Sequence, residues 1–410
     1  MNNRKKGFGE LLSVSKAKEI LASIPVELNE EEVPLAQCDH RFLSRDIVAP
    51  IHVPHFRKSA MDGYAVKAQD LFGVSYENPI ELQVIEVLHA GDTPQKMVET
   101  GTCAKIATGA PLPEGADAVL IVEHTEQEGD TVSAFAAVTP KQNVIGIGSD
   151  VEKGSQVFSV GTRLNPRRIG ILSALGFQYV WVWKKPLVAI ISTGNEILEP
   201  TEELEPGKIY DINVNSLKHA LWRDGCEVLE VGKVSDNPEL IATTIVKVAE
   251  QVDLVLVSGG SSVGEEDYVT TAIKEKGILK VHGIATKPGK PTTIGLICDT
   301  LVVGLPGHPM SALSIYYIFV REKIHLVFGS KVSKVRIKAK LAQKVVSSLG
   351  RHQFLPVSLT HEDEDILAHP IRKGSSAISG LALADGFIEI SERTEVTHRN
   401  EEVWVTLFDW

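Results

Sequence analysis

The chain has 410 residues, of which 43% are apolar, and it carries a formal net charge of −11 at pH 7. A single hydrophobic core stops growing at about 250–300 residues, so this length predicts about two to four folding units. The negative charge provides no general basic field, and such a field is the main source of nucleic-acid affinity. We therefore expect neither DNA nor RNA as a partner.

The cysteines and the N-terminal residues bear on the cellular compartment. The four cysteines include no CxxC pair, which argues against a zinc site and against a disulfide framework. The basic N-terminal residues are followed by no apolar run, and no other stretch approaches the length that spans a bilayer. We expect a cytoplasmic protein that is neither secreted nor inserted into a membrane.

The N-terminal part of the sequence predicts a domain that is interrupted by an insertion. Apolar residues at helical spacing over residues 10–23 predict a first helix. Residues 45–143 contain short strand-like runs separated by turn residues, a pattern typical of a small β-rich unit. Residues 144–182 include a helical segment after Asn165, which we interpret as a connection that returns to the first helix.

From Pro186 onward, strand-like and helical segments alternate. Strands are predicted at residues 187–192, 253–258 and 301–305, and one of the intervening helices is predicted to end at Gly225. Alternation of this kind predicts a three-layer α/β unit, in which helices cover both faces of a parallel sheet.

After about residue 330 the helical pattern disappears, and short strand-like runs predict a small β-barrel or sandwich. The acidic run at residues 362–365 is interpreted as a solvated turn. The expected fold class is multidomain α/β plus β. The expected domains are a split linker domain of residues 1–46 and 144–182, an inserted β-rich domain of residues 47–143, an α/β domain of residues 183–329 and a C-terminal β-barrel domain of residues 330–410.

Three acidic residues follow predicted strands of the α/β unit, and they are Glu196, Asp236 and Asp267. Ligands of such sheets bind beyond the carboxyl ends of the strands, where loops and helix N-termini converge. For any one of these acids taken alone, a helix-capping role is the favoured interpretation. Three of them beside a phosphate-binding loop favour a hard cation such as Mg²⁺, which offsets the repulsion between carboxylates and phosphate. The pattern predicts a metal-assisted phosphoryl site.

Two further segments have the character of anion sites. The run SGGSSVG at residues 258–264 lets backbone N–H groups approach an anion closely, although no GKS or GKT follows as in a P-loop. A tight turn between a strand and a helix, without a ligand, is the alternative. The run KPGKP places Lys287 and Lys290 on a stiff turn, which predicts an oxyanion clamp; two solvated lysines are the alternative. In the β-rich region, Asp62 and Thr108 lie in conspicuous turns.

Seven motifs occur in a fixed order over nearly the whole chain: SAMDGYA, TGAPLPEGADAV, STGNE, GKIYDINVNSL, SGGSSVGEEDY, KPGKP and GLPGHPMSAL. Together they closely resemble the molybdopterin molybdenumtransferase family, which comprises bacterial and archaeal MoeA proteins and the plant and animal E domains represented in gephyrin. The resemblance implies a pterin-binding α/β domain, an elongated linker, an inserted β unit and a C-terminal β-barrel. It also implies a homodimer in which Asp62 and Thr108 act in the cleft of the other subunit.

The resemblance carries over functional residues by motif. The implied catalytic residues are Asp62, Thr108, Glu196, Asp236, Asp267, Lys287 and Lys290. The implied substrate-binding residues are Thr193, Gly194, Ser258, Gly259, Gly260, Ser261, Gly264, Pro306, Gly307 and Ser311. The implied molybdate-binding residues are Lys287, Lys290, Arg351 and Ser375, and the implied metal ligands are Glu196, Asp236 and Asp267. The sequence departs from relatives at Gly283, where some carry lysine, and at His308, where asparagine is common.

The implied reaction is insertion of molybdate into adenylylated molybdopterin, with Mg²⁺ as cofactor and AMP as the leaving group. Pterin adenylyltransferase and cofactor-accepting enzymes are implied partners. The alternatives are a tungstate-specific version of the reaction, a pterin adenylyltransferase-like nucleotide enzyme and a noncatalytic gephyrin-like scaffold. The second gives no reason for the residues before Pro186 or after 330, and a scaffold has no need for three acids and two lysines together.

Overall fold

The computed structural model describes residues 11–259, 267–362 and 364–408. Its helices are α1 Val14–Ser23, α2 Pro166–Ala174, α3 Asn213–Arg223, α4 Pro238–Ala249, α5 Tyr268–Lys276, α6 Pro309–Ile315, α7 Arg321–Val327 and α8 Ser379–Ala382. No helix among these described residues is long and apolar enough to cross a membrane.

The strands follow in three groups. The strands before residue 184 are β1 Glu30–Pro34, β2 Ile47–Val48, β3 Lys58–Ser59, β4 Gly63–Val66, β5 Ile80–Leu88, β6 Thr102–Ile106, β7 Ala118–Ile121, β8 Thr125–Glu128, β9 Thr131–Ala134, β10 Val144–Ile145, β11 Gln156–Phe158 and β12 Tyr179–Trp183. The strands of the α/β region are β13 Leu187–Thr193, β14 Ile197–Leu198, β15 Ile209–Tyr210, β16 Glu227–Val234, β17 Leu254–Ser258, β18 Gly277–His282, β19 Thr286–Lys287, β20 Thr293–Ile297 and β21 Thr300–Leu305. The last strands are β22 Arg336–Leu341, β23 Val345–Val346, β24 His352–Glu362, β25 Asp365–Pro370, β26 Gly386–Ile390, β27 Val396–Thr397 and β28 Glu402–Leu407.

The first helix, α1, ends at Ser23 as the sequence predicts, but it begins at Val14 instead of residue 10 and packs against the α/β unit. The Ser13 hydroxyl accepts a hydrogen bond from the backbone N–H of Lys16 and so caps the helix. The buried face of α1, with Ala17 and Leu21, joins the core of the α/β unit. Leu172 of α2 belongs to a separate core with Leu43 and residues of β1 and β12. The helix after Asn165, α2, therefore does not pack on the first helix as expected. It packs against β1, β12 and Leu43 instead.

The β-rich unit is a six-stranded sheet in the order β7-β4-β6-β5-β9-β8. Alternate residues of β4 point to opposite faces, so Tyr64 and Ala65 lie in two different apolar cores. The turns that carry Asp62 and Thr108 border this sheet, at the start of β4 and after β6. The sheet thus provides a rigid base for both residues.

The α/β sheet has the order β16-β13-β17-β21-β20-β18. The first four strands are parallel, as predicted, and buried apolar cores lie on both of its faces. The sequence pattern did not predict the last two pairings: β20 runs antiparallel to β21, and the edge strand β18 runs antiparallel to β20. Only Cys298 and Asp299 separate β20 from β21, and a parallel connection needs a crossover of about a dozen residues or more. Both turn residues have positive φ, as tight hairpin turns require.

The C-terminal strands form a closed barrel. The order β24-β25-β22-β28-β26 returns to β24 through a pairing between β24 and β26. Strand β19 pairs with β24 in parallel, with Thr286 opposite His352 and Lys287 opposite Gln353. The KPGKP turn of the α/β region is thereby joined to the barrel.

A cluster of buried charged and polar side chains surrounds Asp224, which follows the last residue of α3. Its carboxylate accepts hydrogen bonds from the Tyr316 hydroxyl at 2.6 Å and Arg321 Nε at 3.0 Å, and lies 3.3 Å from His325 Nε2. Tyr316 begins a π-helical turn, Tyr316–Val320, between α6 and α7. Burial raises the pKa of Asp224, but the hydrogen bonds and the Arg321 charge outweigh burial and hold it below its ordinary value.

We expect Asp224→Ala to lower the free energy of unfolding by about 3–5 kcal/mol, because it leaves buried donors and a buried charge without a partner. Chemical denaturation followed by circular dichroism measures this. Since the folded pKa is depressed, the stabilisation is present above the ordinary aspartate pKa of about 4 and is lost as pH falls through the folded pKa. Glu402→Ala, which breaks an exposed ion pair with Lys338, is the control and should change stability by about 0.5 kcal/mol or less. Equal effects of the two variants on the free energy of unfolding would contradict the stabilising role of Asp224.

Candidate functional site

A cleft of about 1560 Å³ lies between the carboxyl ends of β13, β17 and β21 and the C-terminal barrel. One wall belongs to the α/β unit, and the other is formed by β24 and residues 371–376. The cleft brings together most of the residues that the sequence singled out. Those that line it are Thr193, Gly194, Glu196, Asp236, Ser258, Gly259, Lys287, Lys290, Pro306, Gly307, Ser311, Arg351 and Ser375.

Glycines on the α/β wall allow the backbone to come close. Gly259 has φ +99°, and a Cβ there would lie 2.7 Å from Thr193 Oγ1. Gly194 has φ +144°, and a Cβ there would lie 2.8 Å from a carboxylate oxygen of Glu196. A side chain is therefore excluded at both positions. The predicted residues Gly260, Ser261 and Gly264 lie outside the described part of the chain.

Two of the three predicted acids, Glu196 and Asp236, line the cleft. The Asp236 carboxylate accepts a hydrogen bond from the backbone N–H of Asn195 at 3.1 Å. The Asn195 side chain in turn accepts one from the Asp236 backbone at 3.3 Å. This reciprocal pair ties the loop after β13 to the loop after β16 and holds both carboxylates at the same rim.

The third acid, Asp267, caps helix α5. Its Oδ1 accepts a hydrogen bond from the backbone N–H of Thr270 at 3.0 Å, and its Oδ2 accepts one from the Thr270 hydroxyl at 2.7 Å. Asp267 Oδ2 also lies 3.5 Å from His282 Nε2. Within residues 11–259, 267–362 and 364–408, no three His, Cys, Asp or Glu side chains are grouped as a metal site. The metal role of the three acids stays a prediction.

The opposite side of the cleft is cationic. Lys287, Lys290 and Arg351 line the cleft. Arg372 and Lys373 line it as well, although neither was predicted from the sequence. The KPGKP turn is fixed to the barrel because the Thr286 hydroxyl donates to the carbonyl of His352 at 3.1 Å. The turn and the barrel thus form one positively charged surface.

His308 links the two walls at the N-terminus of α6. Its Nδ1 lies 2.8 Å from the hydroxyl of Ser375, and the backbone N–H of Met310 donates to the carbonyl of Ser375 at 3.2 Å. His308 therefore lies within the cleft and contacts a predicted oxyanion-binding residue. The motif GLPGHP identified the loop that carries His308. Its contact with Ser375 of the barrel could not be predicted from the spacing of neighbouring residues.

Asp62 and Thr108 contact each other. The backbone N–H and the hydroxyl of Thr108 donate to Asp62 Oδ1 at 2.7 and 2.9 Å, and these bonds lower the pKa of Asp62 below its ordinary value. Neither residue lines the cleft formed within this chain.

Asn213 and Gln353 also line the cleft, and each is only 8% exposed. Neither was predicted as a site residue from the sequence. Asn213 lies in the motif GKIYDINVNSL and is the first residue of α3. Gln353 lies within an unremarkable barrel strand. In both cases the signal is tertiary, because burial of a polar side chain cannot be read from neighbouring residues.

Comparison with known proteins gives three family matches in chain order. The MoeA N-terminal region (domain I and II) matches residues 12–176, a probable molybdopterin binding domain matches residues 189–325, and the MoeA C-terminal region (domain IV) matches residues 338–408. The chain is 35% identical over 348 residues to the molybdopterin molybdenumtransferase of Haemophilus influenzae, with 84% of this chain and 85% of that protein covered. It is 32% identical over 384 residues to the Bacillus subtilis protein of the same name, with 92% and 89% covered.

Solved structures agree. Two structures of molybdopterin biosynthesis MoeA protein from Pyrococcus horikoshii superpose with TM-scores of 0.83 and 0.86, at 40% and 34% identity. They cover 98% and 97% of this chain and 100% of their own chains. The chain belongs to the molybdopterin molybdenumtransferase family, which confirms the family and the fold class expected from its motifs.

We expect His308→Ala to weaken binding of sulfate, a tetrahedral probe, by about fivefold, because loss of one hydrogen bond frees the Ser375 loop. Calorimetric titration measures this. His308→Asn is the matched variant, since its amide can occupy the position of Nδ1, and it should keep affinity within about twofold of the parent. Weaker binding in both variants to the same extent would show that the hydrogen bond to Ser375 is not the cause.

Proposed function

We propose that this protein inserts molybdenum from molybdate into adenylylated molybdopterin and releases AMP. The observation that carries the proposal is the division of one cleft into an acidic rim on the α/β wall and a cationic surface at the barrel. Phosphates that are partly neutralised by a cation fit the acidic rim, and a free oxyanion fits the cationic surface.

The α/β wall is proposed to hold the substrate. Gly194 and Gly259 let backbone groups approach the phosphates, and Thr193, Ser258 and Ser311 supply hydroxyls along the same wall. Gly260, Ser261 and Gly264, which lie outside the described residues, stay predicted members of this phosphate site. Pro306 and Gly307 line the adjoining part of the cleft.

Magnesium is proposed as the cofactor. Mg²⁺ typically binds through one or two carboxylates plus substrate phosphates, so Glu196 and Asp236 suffice as the protein's share without a preassembled group of three ligands. Asp267 stays a predicted third ligand, whose carboxylate would share its hydrogen bonds with Thr270. When bound, the ion supplies neutralisation of phosphate charge during cleavage of the anhydride.

Lys287, Lys290, Arg351 and Ser375 are proposed to hold molybdate. Two lysines on the fixed KPGKP turn and a guanidinium offer charge-assisted hydrogen bonds to one tetrahedral dianion. Water attacks the adenylyl phosphorus and the bond from that phosphorus to the bridging oxygen breaks, so that AMP and the molybdopterin phosphate are the two products. The two dithiolene sulfurs bond to molybdenum, and one oxo group of molybdate leaves as water with the two thiol protons. Tungstate is an equally shaped alternative substrate.

Asp62 and Thr108 are proposed to act in a homodimer, in the cleft of the other subunit. The support is their absence from the residues that line the cleft within this chain, together with their rigid mutual hydrogen bonds. We further propose a cytoplasmic site of action, with a pterin adenylyltransferase supplying the substrate and cofactor-accepting enzymes receiving the product.

The function is tested by incubating purified protein with adenylylated molybdopterin, molybdate and Mg²⁺ and measuring AMP by chromatography. We expect Lys287→Met and Lys290→Met each to raise the molybdate concentration for half-maximal rate about tenfold to 150-fold, because each loses a charge-assisted hydrogen bond of about 1.5–3 kcal/mol. Excess molybdate should restore the rate. Lys338→Met, on the outer barrel surface, is the control. No AMP from the parent protein would refute the function, and unchanged molybdate dependence in the double variant would refute the clamp.

The shared cleft is tested by subunit exchange. A mixture of Asp62→Ala and Glu196→Ala proteins should regain activity that neither has alone, because a mixed dimer contains one cleft without a substitution. The AMP assay measures recovery, and native mass spectrometry of differently tagged subunits confirms exchange. Absence of recovery in demonstrated mixed dimers would argue that Asp62 and Glu196 act in the cleft of the same subunit.

A further inference from the structure

Asn213, the first residue of α3, is a buried amide on the α/β wall of the cleft. Its Nδ2 donates one hydrogen bond to Ser258 Oγ and one to the carbonyl of Gly307, each at 2.8 Å. Both amide hydrogens are therefore used, and they connect the end of β17 to the loop after β21. Asn213 holds together two loops of the cleft.

These contacts also determine which way the amide points. The carbonyl of Gly307 can only accept, so the NH₂ group of Asn213 must face it. The carbonyl oxygen, Oδ1, is then directed away from Gly307 and Ser258. It is buried and has no hydrogen-bond partner among the residues that the structure describes. Most buried side-chain acceptors in proteins have a partner, so this oxygen is an unsatisfied group on the wall of a cleft.

Thr193 provides a second buried oxygen on the same wall, a hydroxyl that can accept or donate. Thr193 is 3% exposed and lines the cleft, and its Oγ1 has no partner within the described part of the chain. Thr193 contacts Gly259, next to the residue that Asn213 binds. The opposite wall carries lysines and arginines, which only donate, together with one buried acceptor that has no partner among the described residues, Gln353 Oε1. A ligand group that offers N–H donors is therefore complementary to the Asn213 side of the cleft and not to the lysines and arginines.

We propose that Asn213 Oδ1 accepts a hydrogen bond from an N–H group of a fused nitrogen heterocycle, and that it selects ligands with a donor at that ring edge. The inference rests on the proposed function, whose substrate has two such edges. One is the 2-amino and N3–H edge of the pterin, and the other is the 6-amino group of the adenine. Asn213 is thus a specificity-determining residue for the heterocycle, in addition to its role between the loops.

The test compares ligand pairs that differ at the donor edge. Pterin-6-carboxylate and lumazine-6-carboxylate differ by an amino group in place of a carbonyl, as do AMP and inosine monophosphate. Calorimetric titration gives the affinity ratio of each pair for the parent protein, Asn213→Leu and Asn213→Asp. Both substitutions remove the amide donor that binds Gly307, but only Asp retains an oxygen acceptor. Thermal melting followed by circular dichroism reports folding, and Asn213→Ser serves as a second truncation if Asn213→Leu does not fold.

We expect the parent to prefer the amino member of at least one pair by about tenfold, because two carbonyl oxygens would face each other in the complex with the other member. Asn213→Leu should reduce that ratio to about one, and Asn213→Asp should retain it. The pair that responds identifies the pterin or the adenine edge. A parent protein that binds both members of each pair equally overturns the inference, as does a preference that survives in Asn213→Leu or is lost equally in both variants. If the protein releases AMP but the affinity ratios contradict the expectation, only the inference about Asn213 fails. Absence of AMP release refutes the proposed function separately.

Discussion

The pairing of β19 with β24 is the contact on which the composite cleft depends. Two residues of the α/β region, Thr286 and Lys287, lie in parallel register against the barrel strand, and the Thr286 hydroxyl donates to the carbonyl of His352. This short pairing fixes the KPGKP turn between the two units. Without it, the two lysines would belong to a surface loop, and the barrel arginine would lie on a separate body. The cationic half of the cleft exists because one backbone turn belongs to both units.

The cleft separates opposite charges between its walls. Glu196 and Asp236 lie on loops tied together by reciprocal hydrogen bonds with Asn195, and the lysines and arginines lie at the barrel side. Positive charge at one end and carboxylates at the other suit a substrate that combines phosphates with a separate oxyanion. His308 joins the walls through Ser375, so the spacing between the two ends is held by hydrogen bonds as well as by packing.

Asp267 and Asn213 show how tertiary structure changes the meaning of a residue. Asp267 was singled out as a ligand because it follows a strand, but its carboxylate caps α5 through Thr270. Asn213 was not predicted as a site residue, yet its amide connects two loops and its Oδ1 has no hydrogen-bond partner among the described residues. In both cases the sequence indicated the loop in which the residue lies, and the hydrogen-bond partners showed what its side chain does. Those partners lie up to 94 residues away in the sequence.

The sequence by itself determined the local elements and the family. Apolar runs such as LVAIIS act over a few residues, so β13 lies where it was expected. Ordered motifs carried the resemblance to the molybdopterin molybdenumtransferases, and the comparisons confirm it. Only the tertiary structure decided that β18 and β20 run antiparallel, that α1 packs on the α/β unit, and which acids reach the cleft. The physical reason is that local pattern fixes the backbone conformation of a segment, whereas pairing, burial and hydrogen-bond satisfaction depend on residues that are distant in the chain.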